Sequence, residues 1–302
     1  MIPPIYWRIG QLAFTAGLIA LLWRTTDGPQ IFRILQQAQP IWLAAAIGVL
    51  LCQTVLSAWR WQITAAQLGQ KLPLGYAVKE YFMSQIVNQA LPGAIMGDAA
   101  RAVRARAQAG LAAATQAVLF ERLAGQIAMF MMMSIAFLIT FTAQGGLTWP
   151  PEFAAPIGSA IAVGIGVGGA IALGSRFPNL IGQRLAAWIA PMYRAVLAKH
   201  VLPAQIGLGL AITLCNLAAF GLCAWAVGVH LSLAAICAIV PVILFSMLIP
   251  FTISGWGVRE GAAAVLLPLA GTTPSEAVAA SVIFGCALLL AVLPGLIAVI
   301  LK

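Results

Sequence analysis

Gln85, Asn88 and Gln89 stand at i, i+3 and i+4, which puts three polar side chains on one helical face in an otherwise apolar stretch. Leu91-Pro92-Gly93 ends that helix, because proline supplies no backbone donor and its ring clashes with the preceding turn. Gly97-Asp98 then reads as a second helix start with Asp98 as N-cap, and Arg101, Arg104 and Arg106 lie on the helix it opens. Glu121-Arg122 and Arg259-Glu260 add charge to two more apolar surroundings. An arginine in such a place is usually kept facing a cavity, a counter-ion or a phosphate, and its planar fork matches a phosphate bidentately where lysine does not. Arg101, Arg104, Arg122 and Arg259 are therefore candidates for gripping a phosphate-bearing group. The competing reading is structural: Asp98 paired with Arg101 at i, i+3, and Glu121 and Glu260 paired with arginines across an internal repeat of the chain. Neighbours on a helix point about 100° apart, so neither Glu121-Arg122 nor Arg259-Glu260 needs to be a local salt bridge. Either glutamate offers a proton-coupling group, as does Asp98 if it is not merely a cap. Gln85, Asn88 and Gln89 suit ligand hydroxyls or the exposed backbone of the broken loop.

The elements that must position these groups are membrane helices. Of 302 residues, 62% are hydrophobic and 8% charged, with mean hydropathy +1.01, a composition no water-soluble domain approaches. The net charge of +9 falls in short segments between apolar runs, which sets orientation by the positive-inside rule and attracts anionic headgroups; nucleic-acid binding is not expected. Cys52, Cys215, Cys223, Cys237 and Cys286 sit in apolar runs without a CxxC pair, His200 and His230 stand alone, and no P-loop or GxSxG occurs, so neither a metal nor a cofactor is expected.

Taking about 20 apolar residues per crossing, full spans are expected near 5–23, 40–59, 112–142, 153–173, 201–227 and 275–301. The first reads as retained, since no small-residue cleavage site follows it. Residues 31–39 form a short interfacial piece, and Trp59-Arg60-Trp61 reads as the aromatic and basic anchor closing the second span. Residues 74–91 are too polar to face lipid and must be covered by protein. The Gly-rich run 153–173 is suited to close helix contact, and 176–199 reads as an amphipathic cytoplasmic helix. Residues 231–250, kinked at Pro241, lead to a second break, IPFTISGWGVREG. Span parity and the basic segments place both termini in the cytoplasm.

At an offset of 158 residues, Leu91–Arg101 lies over Ile249–Arg259 with Pro, Ile, Gly and Arg coinciding. The same offset carries the second span and the polar helix onto later segments in the same order. The expectation is an inverted repeat, units 40–142 and 198–302 within a single transmembrane domain 1–302, whose two broken or re-entrant hairpins, 74–110 and 231–270, dip from opposite faces toward a shared cavity. The fold class is all-α: a polytopic membrane protein of about six full spans plus two such hairpins.

At these residues the chain resembles the flippase-like transmembrane domain of lysylphosphatidylglycerol synthases and their stand-alone relatives. The resemblance rests on Asn88 with Leu91-Pro92-Gly93, Gly97-Asp98-x-x-Arg101, Phe120-Glu121-Arg122 and, most specifically, Ser254-Gly255-Trp256-Gly257-Val258-Arg259-Glu260-Gly261. It covers nearly the whole chain, although Ala94-Ile95-Met96 stands where a more glycine-rich approach is usual. The resemblance implies translocation of an anionic or modified lipid between leaflets of the inner membrane without ATP hydrolysis. With the chain ending at Lys302 and no aminoacyl transferase domain in it, lipid aminoacylation is not expected. The alternatives are a membrane enzyme acting on a lipid-linked substrate with Glu121 or Glu260 as general base, and a non-catalytic partner that recruits a lipid-synthesis enzyme through 176–199.

Overall fold

The structure is a computed structural model that describes residues 4–90, 96–143, 147–177, 179–248 and 252–300, with side chains from 10 to 297. Described residues form helices only. In chain order these are α1 (Pro4–Thr25), α2 (Gly28–Gln36), α3 (Pro40–Ala66), α4 (Leu74–Ala90), α5 (Met96–Ala105), α6 (Gly110–Thr142), α7 (Pro151–Gly174), α8 (Leu180–Met192) with a π turn at Tyr193–Leu197, α9 (Leu202–Ala226), α10 (Leu233–Ala238), α11 (Val240–Ser246), α12 (Val258–Leu266), α13 (Pro274–Ala291) and α14 (Pro294–Ile300). Local chemistry explains many of the starts. Asp27 accepts from Gln30 N–H at 3.0 Å to open α2, Asn179 from Gly182 N–H at 2.7 Å to open α8, and Thr273 and Glu276 form a reciprocal capping box on α13.

Five described helical stretches, Pro40–Ala66, Gly110–Thr142, Pro151–Gly174, Leu202–Ala226 and Pro274–Ile297, are long and apolar enough to cross a membrane. The protein is a multi-pass membrane protein. The remaining expected span, 5–23, corresponds to the 22-residue α1.

The long helices α3 and α9 form the central pair and run antiparallel. Gln39 N–H donates to the Ala226 carbonyl at 2.8 Å at one end, and Gln205 Nε2 donates to Thr64 Oγ1 at 3.0 Å at the other. Helices α6 and α13 each pack against both members of this pair. Phe220 and Phe284, with ring centroids 5.3 Å apart, fix the α9–α13 side of the core. On the other side alanines Ala58, Ala65, Ala77, Ala102, Ala114 and Ala117 let α3, α4, α5 and α6 approach closely around Trp61 and Tyr81.

Two hairpins occupy opposite ends of this bundle. In the first, α4 packs on α5, and the chain returns to where it entered: Lys71 N–H donates to Gln108 Oε1 at 2.6 Å, and Gln108 Nε2 donates to the Lys71 carbonyl at 3.0 Å. Both ends of the hairpin therefore lie at the same end of the bundle. Gly97 makes the crossing possible, because a Cβ there would lie 2.0 Å from the Ser84 carbonyl oxygen. The second hairpin runs through α10, α11 and α12, and its entry (Val227) and exit (Val278) cluster together against Ile31 of α2. That is the end of the bundle where Gln39 meets Ala226, opposite Lys71 and Gln108. The expected breaks Leu91-Pro92-Gly93 and Ile249-Pro250-Phe251 lie outside the described residues.

Several expectations are corrected. Residue 59 does not close the second span: α3 continues to Ala66, and Arg60 is buried inside the bundle, where it finds a carboxylate rather than an interface. Asp98 is not an N-cap. Helix α5 already includes Met96, and the Asp98 carboxylate goes to two guanidinium groups that outcompete backbone N–H donors for it. Arg106 lies beyond the end of α5. Residues 231–250 split at Ile239 into α10 and α11, since Pro241 cannot donate, and residues 275–301 divide before Pro294 for the same reason. The amphipathic segment 176–199 is reduced to the 13-residue α8 and its π turn. The glycines of α7 make little helix contact: Phe130 lies over Gly164, but Gly166, Gly168 and Gly169 face open space.

Candidate functional site

A cavity of about 860 Å³ lies between the two hairpins. Helix α4 presents Gln85, Asn88 and Gln89 to it, as their shared helical face requires; α3 adds Gln53 and Thr54, α6 adds Thr115, Arg122 and Gln126, and α9 adds Asn216. The second hairpin contributes Met247, Leu248, Thr252 and Ser254. The hairpins meet directly, the Ser254 hydroxyl donating to Gln89 Oε1. Leu111, Leu119 and Leu123 along the apolar helix α6 line the cavity and are exposed, so its α6 side is open and apolar.

Behind the polar wall runs a chain of five charged groups. Arg60 Nη2 donates to Glu121 Oε1 at 2.7 Å; Glu121 Oε2 lies 3.5 Å from Arg101 Nη2; Arg101 Nη2 donates to Asp98 Oδ1 at 2.9 Å. Arg122 closes the series with two bonds to Asp98, Nε to Oδ2 at 2.9 Å and Nη2 to Oδ1 at 3.1 Å. Ser84 Oγ donates to Asp98 at 3.0 Å, and Tyr81 Oη donates to Glu121 at 3.3 Å. The Arg101 guanidinium is also sandwiched between the rings of Trp61 (4.5 Å) and Tyr81 (4.3 Å). Three guanidinium groups against two carboxylates leave one positive charge. It surfaces at Arg122, whose side chain is 39% exposed, whereas Arg101 is 0% exposed. Asn88 keeps α5 in place by accepting the Gly97 N–H at 2.8 Å, so its amide nitrogen is the half left for the cavity.

The second hairpin has its own closed pair. Arg259 donates to Glu260 Oε1, and its Nε also donates to Ser281 Oγ at 3.1 Å, while Trp256 and Phe284 face the guanidinium at 5.0 and 5.7 Å. Glu260 Oε2 accepts the Gly257 N–H at 2.7 Å at the start of α12, and Gly257 adopts φ +86°, a conformation that side chains rarely take. Arg259 and Glu260 are both buried.

A family model described as the lysylphosphatidylglycerol synthase TM region matches residues 8–295. The chain belongs to that family. No curated protein and no solved structure matches it.

Within this synthase TM region the residues singled out from the sequence divide into two sets. Gln85, Asn88, Asp98 and Arg122 come together on the cavity. Arg101, Arg259, Glu121 and Glu260 are enclosed in ion pairs outside its lining, and Arg104 pairs with Glu80 away from it. Glu121 and Arg122 do not pair with each other, as their angular separation implied, but Arg259 and Glu260 do, because both point inward at the hairpin turn. Glu121 finds Arg60 and Arg101 within the same half of the chain, not an arginine across the repeat. Sequence reasoning passed over Arg60, Tyr81, Gln53, Gln126 and Asn216. Arg60 carried a signal, a basic residue flanked by two tryptophans, but the same triplet marks a membrane interface. Lone amides in apolar helices at Gln53, Gln126 and Asn216 were the other legible sign.

Proposed function

We propose that this chain is a membrane lipid transporter that moves a phospholipid or other phosphate-bearing lipid between leaflets through the cavity between its hairpins. The observation that carries the reading is Arg122: one partly exposed arginine side chain, backed by a network with one positive charge in excess, lines a cavity that also carries amides and is apolar along α6. Such a cavity takes a headgroup while acyl chains stay in the bilayer. Arg122 grips the phosphate. Gln85, Asn88 and Gln89 meet polar headgroup atoms. Arg101, Arg104 and Arg259 hold the walls through their carboxylate partners, since breaking a buried pair leaves an uncompensated charge.

In this reading Asp98 is the internal counter-ion that occupies Arg122 when the cavity is empty. It stays compensated by Arg101 and Ser84 when a phosphate takes its place on Arg122. No covalent step is involved, and the chain works as a carrier in the cytoplasmic membrane with both termini inside. The inverted repeat is part of the proposal. The offset of 158 carries α3 onto α9, α4 onto α10 with α11, α5 onto α12 and α6 onto α13 with α14. Helices α3 and α9 run antiparallel, as an axis in the membrane plane requires, and alternating access then amounts to one hairpin yielding at a time.

The test is reconstitution into liposomes with fluorescent phospholipids. Leaflet exchange well above that of empty liposomes is expected for at least one phosphate-bearing lipid; exchange no faster than in empty liposomes for every lipid removes the reading.

A further inference from the structure

We infer that the hydrogen bond from Ser254 to Gln89 is a latch joining the two hairpins across the cavity, and that the tip of the second hairpin, residues 252–255, is the part that swings away when a lipid passes. This rests on the transporter reading and deepens it.

The two hairpins are held in unlike ways. The first is fixed by charge and by close backbone packing: Asp98 binds Arg101 and Arg122, and Gly295 of α14 lies against the Phe82 carbonyl of α4, where a Cβ would come within 2.4 Å of the oxygen. The body of the second is anchored by the buried pair Arg259 and Glu260 at the start of α12, and Glu260 also accepts the Gly257 N–H at 2.7 Å. Its tip is held by neutral groups. The Ser254 hydroxyl donates to Gln89 Oε1 of α4, and the Ile253 N–H donates to Thr15 Oγ1 of α1 at 3.3 Å. Neutral hydrogen bonds are about half as strong as charge-assisted ones, so the tip yields before either ion-paired wall does.

The backbone at the latch is strained. Glycines apart, Ser254 alone among the described residues has a positive φ, +50°. A residue held there persists only where its surroundings fix it, and the bond to Gln89 is such a constraint. Releasing Gln89 lets Ser254 return to negative φ and carries the tip with it. Thr252 acts in the same direction. It is 2% exposed, lines the cavity and has a buried hydroxyl with no partner among the described residues. An unpaired buried hydroxyl raises the free energy of the latched state, and reaching a ligand in the cavity relieves it.

The experiment uses the full chain with its five cysteines replaced and Gln89→Cys and Ser254→Cys introduced together, reconstituted with a fluorescent phospholipid. A short bis-methanethiosulfonate, spanning the length that the glutamine side chain covered, is expected to join the two positions and slow leaflet exchange about tenfold or more, with recovery on adding dithiothreitol. Capping both positions with methyl methanethiosulfonate is expected to leave exchange fast. Exchange that continues unchanged in the joined protein, or that stops equally in the capped one, overturns the latch and leaves the transporter reading intact. So does failure of the reagent to join the two positions. In a second measurement Ser254→Gly, which removes the hydroxyl and accommodates the positive φ, is expected to make Thr252→Cys react about threefold or more faster with a soluble maleimide. An unchanged rate overturns the inference. If the double-cysteine protein does not fold, or exchanges no lipid before joining, this second measurement decides alone. A wild type that exchanges no phosphate-bearing lipid removes the transporter reading and the inference with it.

Discussion

Arg122 holds Asp98 through two parallel hydrogen bonds, Nε to Oδ2 at 2.9 Å and Nη2 to Oδ1 at 3.1 Å, at the wall of the cavity between the hairpins. This is the fork that arginine also offers a phosphate. Asp98 keeps Ser84 and Arg101 when Arg122 lets go, so the exchange of one anion for another exposes no bare carboxylate.

Glu121 is expected to matter for folding far more than for transport. It has no exposed side-chain surface and holds Arg60 and Arg101 together. Glu121→Gln leaves a buried guanidinium without its anion and should destabilise the protein by about 3–5 kcal/mol. Thermal unfolding in detergent measures this, and Arg60→Met combined with Glu121→Gln should recover part of the loss. A Glu121→Gln protein as stable as the wild type contradicts the structural role.

Gly97→Ala places a Cβ 2.0 Å from the backbone oxygen of Ser84, which no rotamer change relieves. Helix α5 must lift from α4, with loss of about 1–3 kcal/mol or more. Gly168→Ala meets nothing within 4 Å and should be close to neutral. Comparing the melting temperatures of the two variants checks the crossing, and equal values count against it.

Cysteines introduced at Lys71 and Gln108 in a cysteine-free background should react with an impermeant maleimide from the same side of the membrane, and one at His230 from the opposite side. The two hydrogen bonds between Lys71 and Gln108 put both ends of the first hairpin together, and antiparallel α3 and α9 put His230 at the other end. Labelling of Lys71→Cys and Gln108→Cys from opposite sides makes the first hairpin a full crossing and ends the re-entrant account.

How much of this was legible in the sequence depended on range. Helical period is local, so Gln85, Asn88 and Gln89 could be placed on one face, and all three line the cavity. Apolar run length is also local, and it located α3, α6, α7, α9 and the α13–α14 stretch. The arginines could not be sorted in this way. Whether an arginine faces a cavity or a carboxylate depends on partners as distant as Arg60 and Glu121, 61 residues apart. Hence Arg101 and Arg259 looked like ligand-binding groups yet lie enclosed, while Arg122, of the same residue type and in similar surroundings, carries the exposed charge. Asp98 failed in the opposite direction: capping rules are local, and the guanidiniums that claim it are not.

The most direct test of the central claim is leaflet exchange of fluorescent phosphatidylglycerol by wild type, Arg122→Gln and Arg176→Gln reconstituted at equal density. Arg176 is exposed and far from the cavity lining in sequence, so its variant serves as the control for lost surface charge. The account predicts that Arg122→Gln slows exchange by about tenfold or more, in line with the loss of a charge-assisted bidentate contact, while Arg176→Gln keeps the wild-type rate. A folded Arg122→Gln protein that exchanges the lipid as fast as the wild type contradicts it.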